Sequence, residues 1–178
     1  MDKRKREIIK NFIVAAQLST ATTEVIEANV NAINKALVNA TKDEKSILFA
    51  KPSYLDINLF SKFITNKKVI VEPTKEEFKN TRCGITDAFA AVESTGSVCV
   101  TATGLISAAS MLTQKHIVIV DSNTIVSLPR NILSDNYCDG IGLRESFSFI
   151  TGSSATADMG PLVRGVHGPG ELHIIILE

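Results

Sequence analysis

Six short apolar runs divide this chain, and their length limits the folds open to it. They are Ile47-Leu48-Phe49-Ala50, Val69-Ile70-Val71, Ser97-Val98-Cys99-Val100, Ile117-Val118-Ile119-Val120, Phe147-Ser148-Phe149-Ile150 and the stretch from Leu172 to Leu177. Each has strand length, and turn-forming residues bound several of them: Lys51-Pro52 closes the first and Glu72-Pro73 the second. Helical stretches separate them. We expect helices at about 54–65, 105–113 and 128–137, and another opening at Thr74-Lys75-Glu76-Glu77, which reads as a capped helix start. Strands that are apolar throughout must be buried on both faces. Alternating with helices, they predict an α/β fold with a mainly parallel sheet between helical layers.

The first forty residues read as helical. Ile8, Ile9, Phe12, Ile13 and Ala16 recur at helical spacing, as do Val25, Ile26, Val30, Ile33 and Leu37. Ser19-Thr20-Ala21-Thr22-Thr23 interrupts them. A second helix is therefore expected from Thr22 or Thr23, with Glu27 near capping-box spacing.

With 178 residues the chain is expected to form a single domain spanning 1–178. A chain of that size buries roughly 70% of its unfolded surface and needs no disulfide or metal to hold it together. Lysines plus arginines number 19 and so do the acids, which argues against nucleic acid as a partner. The basic run Lys3-Arg4-Lys5-Arg6 reads as a solvated helix start. Cys83, Cys99 and Cys138 are odd in number and lack CxxC spacing, and no histidines pair at i, i+4. We therefore expect buried thiols in a reducing compartment and no metal, iron–sulfur cluster or other cofactor held by this chain. With neither a leader-type apolar segment nor a run of membrane-spanning length, the expected location is the cytoplasm.

Chemistry can reside in three Gly-rich or hydroxyl-rich loops at strand ends, where open α/β sheets bind ligands. Thr101-Ala102-Thr103-Gly104 precedes a helix; its hydroxyls and amides can hold an anion, or Thr103 can simply cap the helix. Thr151-Gly152-Ser153-Ser154-Ala155-Thr156-Ala157-Asp158 places four hydroxyls and a carboxylate directly after a strand. Asp158 can serve as a base, orient a substrate hydroxyl or cap a turn. In Arg164-Gly165-Val166-His167-Gly168-Pro169-Gly170 the imidazole of His167 can exchange a proton near neutral pH or brace its turn. His116 and His173, which border or enter strands, read as structural. Glu93, on a turn before a strand, is either a nucleophile or general base or a solvated surface acid. The nucleotide-binding GxGxxG and GxxxxGK[ST], the GxSxG elbow and HExxH are all missing from the chain.

The 151–158 loop, followed by Val166-His167-Gly168-Pro169 and Leu172-His173-Ile174-Ile175, resembles the C-terminal signature of the lactate-utilisation (LUD) domain family, LutC/YkgG type. Gly84-Ile85-Thr86 through Thr95-Gly96-Ser97-Val98 is similar to that family's central motif, so the likeness covers about 84–178. The family pattern has proline where Ser153 stands, often a basic residue at Ala155, and commonly an acid at Ser94. The resemblance implies a Rossmann-like fold of the NagB/RpiA/CoA-transferase type. It also implies an accessory subunit of a bacterial system that oxidises L-lactate to pyruvate, whose companion subunits carry the iron–sulfur clusters.

The leading expectation is therefore a LutC-like subunit binding a small carboxylate or phosphate through Thr151, Gly152, Ser153, Ser154, Thr156 and Gly168, with Thr101, Thr103 and Gly104 as a further contribution. Asp158, His167 and Glu93 are the candidate catalytic groups. The alternatives are a stand-alone CoA-transferase-like or sugar-phosphate-isomerase-like enzyme using Glu93 or Asp158, and a module that binds an anion without turning it over.

Overall fold

The strands with the strongest apolar patterning occupy the middle of the molecule. A computed structural model describes residues 3–140, 146–157 and 160–178. Its main sheet has six parallel strands: β1 (Thr22–Ile26), β2 (Ile47–Phe49), β3 (Val69–Ile70), β4 (Cys83–Ala88), β7 (Lys115–Asp121) and β12 (Glu171–Leu177), ordered β1-β12-β7-β4-β2-β3. Alternate residues of each strand enter opposite layers, as the pleat demands. Val118, Val120, Ile174 and Ile176 join a core with Phe12 and Ala16 of helix α1 (Lys3–Leu18) and Ala109 of α5 (Gly104–Met111). Ile117, Ile119, Ile175 and Leu177 face Ile33 and Leu37 of α2 (Val30–Ala40), together with Phe60 and Phe63.

A second sheet stacks on the first of these layers. β5 (Ala90–Val92) continues from β4 after a break at Phe89 and turns back as antiparallel β6 (Ser97–Thr101). β8 (Ile125–Val126) and β9 (Phe147–Ile150) complete the order β8-β5-β6-β9. Ala91, Val98 and Val100 point into the shared core. Phe89, Val92 and Cys99 pack on the other side with Ile132 of α6 (Pro129–Ile132). All six runs expected as strands are strands, but 97–101 and 147–150 belong to this smaller sheet.

The helices differ from expectation in three places. Thr22–Ile26 is an edge strand, not the start of a helix. Its run of β-branched residues favours the pleat, and the apolar spacing of Val25 and Ile26 misled because two strand neighbours also fit a helical stripe. α2 begins eight residues later, behind Asn29, whose side chain accepts from the amides of Asn31 and Ala32. The stretch 54–65 forms a 3₁₀ turn, Ile57–Phe60, leading into α3 (Ser61–Ile64). The stretch 128–137 splits into α6 and α7 (Asp135–Gly140). At α4 (Lys75–Asn80) the expected cap takes the form of a capping box: Thr74 and Glu77 each satisfy the other's amide.

The buried polar residues of the main sheet include a histidine. His116 of β7 is fully buried, with Nε2 2.8 Å from the Thr86 hydroxyl and no partner at Nδ1 among the described residues. Burial pushes its imidazole down to about 3, so it is neutral in the fold. Between that value and the ordinary value near 6.5, the unfolded chain binds a proton that the folded chain refuses. Stability contributed by His116 is therefore present above the unfolded value and is lost as pH falls below it, at up to about 1.4 kcal/mol per unit. We expect urea midpoints of the wild type to fall between pH 6.5 and 4.5 more steeply than those of His116→Leu. Parallel pH slopes for the two proteins would refute the assignment.

Candidate functional site

Gly152 sets the shape of the first loop. It follows β9 by two residues, with φ of 66°, and a Cβ there would stand 1.7 Å from the Ser19 carbonyl oxygen. Only glycine allows the loop to lie this close to the end of α1. The loop is tied on both sides of that contact. The Thr151 hydroxyl is 2.7 Å from that of Ser97, which is 2.7 Å from that of Thr95. The Ser153 hydroxyl lies 2.6 Å from that of Thr20. Ser154 locks the second loop in place: its amide donates to the Pro169 carbonyl at 2.7 Å, and its carbonyl accepts from the Gly165 amide at 3.0 Å.

Between the two loops, β10 (Ala155–Thr156) and β11 (Val163–Arg164) form a short antiparallel ladder that pairs Ala155 with Arg164. The Arg164 guanidinium donates through Nη1 to the Thr20 hydroxyl at 3.0 Å and to the Ser153 hydroxyl. Among the described residues it has no carboxylate within ion-pair distance.

Two cavities flank Ser153. One, of about 350 Å³, is lined by Thr151, Gly152, Ser153 and Ser154 together with His167 and Gly168. The other, of about 720 Å³, takes in Thr20, Thr22, Ser153, Arg164 and His173. Both loops lie at the amino edge of the parallel sheet, beside the first residues of β1 and β12. The 151–154 loop leaves a strand of the second sheet, so it does not lie at the carboxyl edge of the main sheet. At that carboxyl edge Asp87, near the end of β4, accepts from the amides of Ser53, Tyr54 and Leu55 at 2.9, 2.6 and 3.2 Å, drawing the loop after β2 over the strand end. Burial raises the Asp87 carboxyl above its ordinary value, and the three amides pull it partly back. Sequence reading missed Asp87. The signal was an acid inside a strand whose other residues are apolar or small.

The LUD domain family model matches residues 3–177. The chain belongs to the LUD domain family, which is associated with lactate utilisation. The fold agrees: a crystal structure of a DUF162 family protein from Deinococcus radiodurans superposes with a TM-score of 0.70 over 98% of each chain, at 18% identity. No curated protein sequence matches.

Within this LUD domain, the candidate residues fall into separate groups. Thr151, Gly152, Ser153, Ser154, His167 and Gly168 share one cavity. Thr156 is half-buried in β10, and Asp158 lies outside the described residues. The 101–104 loop is elsewhere: Thr101 pairs with Phe147 at one end of the β6–β9 ladder, while Val98 pairs with Ile150 at the end that leads to Thr151. Thr103 occupies the N-cap position of α5, but its side chain makes no capping bond. Glu93 sits on the β5–β6 turn, where its carboxylate accepts from the Asn11 side chain of α1 at 2.8 Å. His116 is enclosed, whereas His173 opens onto the larger cavity.

Cys83 and Cys99 are buried, and burial pushes both thiols up to about 12, so neither is a ready thiolate. Among the described residues no cluster of His, Cys, Asp or Glu is placed to hold a metal ion, and no helix is long and apolar enough to cross a membrane.

Gly152→Ala should dislodge the 151–154 loop from Ser19 and cost about 3 kcal/mol, since both the φ and the backbone contact resist a methyl group. Denaturant titration checks this; a loss under 1 kcal/mol (on the order of one relaxed contact) would contradict the packing.

Proposed function

We propose that this chain is a LutC-like accessory subunit of a lactate-oxidising system, working in the cytoplasm with iron–sulfur companion subunits. In this reading the 151–154 and 164–168 loops hold a small carboxylate or phosphate. The observation that carries the ligand reading is Arg164. Its guanidinium rests on two hydroxyls, with no carboxylate partner among the described residues, where two interlocked loops meet. Hydroxyls orient a guanidinium without neutralising it, which leaves its charge for an anion. Ser153 borders both cavities, and in the smaller one Ser154 adds a hydroxyl and His167 an imidazole.

Nuclear magnetic resonance titration with L-lactate, pyruvate and inorganic phosphate tests the binding. We expect at least one of them to shift the amides of 151–154 and 164–168. Arg164→Gln should weaken that binding about tenfold, the worth of one charge-assisted hydrogen bond. Binding left unchanged in Arg164→Gln would overturn the site. The subunit role is tested by affinity purification from the native cell at endogenous level, with iron–sulfur proteins expected in the eluate. In a deletion strain Asp158→Asn should fold normally yet fail to restore growth on lactate; full restoration would remove Asp158 from the function.

A further inference from the structure

Beside Arg164, on which the anion reading rests, the larger cavity contains groups that reading does not use. On the face that β1 and β12 share there, Thr22 pairs in register with His173, and Glu24 follows two residues along, on the same side of the pleat. The His173 ring bridges them, with Nδ1 2.8 Å from the Thr22 hydroxyl and Nε2 3.1 Å from a Glu24 carboxylate oxygen. An ionised carboxylate only accepts, so the ring proton belongs on Nε2. In the neutral imidazole Nδ1 then keeps its lone pair and the Thr22 hydroxyl donates to it, with the Leu172 carbonyl 3.4 Å away as a second acceptor. A hydroxyl, a base and a group that orients the base are thereby aligned, and the hydroxyl end opens into about 720 Å³ of space. The ring is mostly withdrawn from water, with 18% of its side chain exposed, while Thr22 itself is exposed. Arg164 and Lys115 also line the cavity, as do Glu24 and Glu171. Glu24 faces the imidazole, while Lys115 Nζ donates to the Ala40 carbonyl at 2.6 Å.

We propose that this cavity is a hydrolytic site, in which Thr22 is the nucleophile, His173 the general base and Glu24 its positioning residue, acting on an ester or thioester of a small acid that carries a second, anionic group. The Thr22 oxygen attacks the acyl carbon while its proton passes to His173 Nδ1. The bond from carbon to the leaving oxygen or sulfur breaks, and His173 returns the proton to the leaving group. Water then attacks the acyl-threonine, again giving its proton to Nδ1, and the acid is released with the Thr22 hydroxyl restored. Glu24 stabilises the imidazolium formed in each half and keeps the ring in the tautomer that the first step needs. Arg164 and Lys115 attract the anionic end of the acyl group. A tie between two strands would account for the His173 bonds but requires neither an open cavity at the hydroxyl nor two cations on its wall.

The test uses the full chain with p-nitrophenyl hydrogen glutarate, an activated monoester with a free carboxylate, and with p-nitrophenyl acetate for comparison. Release of p-nitrophenolate should exceed that of Thr22→Val by on the order of 100-fold. Thr22→Ser should retain activity, and the anionic ester should be preferred. Glu24→Gln should lower kcat by about tenfold or more with KM little changed, whereas a strand tie alone would leave kcat unaltered. Peptide mass analysis of quenched reactions should place the acyl group on Thr22. Valine keeps the β-branched shape, so Thr22→Val is expected to fold, and a thermal melt checks that it does. Wild-type release no faster than that of Thr22→Val, or an acyl group found only on another residue, would overturn the proposal. If Thr22→Val does not fold, the location of the acyl group in the wild-type protein decides the question.

Discussion

Burial of the parallel sheet on both faces is the constraint that organises this molecule. In the central strands β4, β7 and β12 the side chains have two apolar layers to fill and almost no solvent to reach. Polar groups survive there only where a neighbour satisfies them, as Thr86 does for one nitrogen of His116, or where loop amides surround them, as at Asp87. Close packing of the helices follows from the same demand. At Gly84, a Cβ would meet the carbonyl oxygen of Ala109 at 2.1 Å, so α5 lies directly on β4. The result is a rigid interior whose chemistry has been pushed to its rims.

The two rims are used differently. At the carboxyl end, Asp87 draws in the loop that follows β2, and Tyr54 packs its ring on Phe89, with centroids 5.5 Å apart. At the amino end, the first residues of β1 and β12 remain accessible, and the 151–154 and 164–170 loops are folded against them. Hydroxyls predominate there: Thr20, Thr22, Ser153 and Ser154 surround one guanidinium and two cavities. Small hydroxylated residues at strand starts leave room beside the sheet and can donate or accept as a ligand requires. This placement departs from the general habit of α/β proteins, because the loop leaves a strand of the second sheet.

Much of the candidate site was visible as composition but not as geometry. The loops stood out because glycine, serine and threonine cluster there without apolar periodicity, and the loops are indeed interlocked through Ser154. The 101–104 loop has the same composition, yet it lies at the other end of the β6–β9 ladder, because composition carries no information about register. Arg164 appeared in sequence only as the residue opening a turn. Its meeting with Thr20 spans 144 residues of chain, and nothing local announces such a contact.

By itself, the sequence determined the α/β class, the central strands, the capped helix start at Thr74 and the loops in which small polar residues gather. All of these depend on interactions within a few residues, so their signals are local. Only the tertiary structure decided that Thr22–Ile26 is an edge strand, that the chain builds a second sheet, and that His173 stands between Thr22 and Glu24. Those outcomes depend on pairing with β12, about 150 residues away, and an edge strand half exposed to solvent carries no continuous apolar run to mark it. Local chemistry wrote the elements, and long-range register decided which side chains would meet.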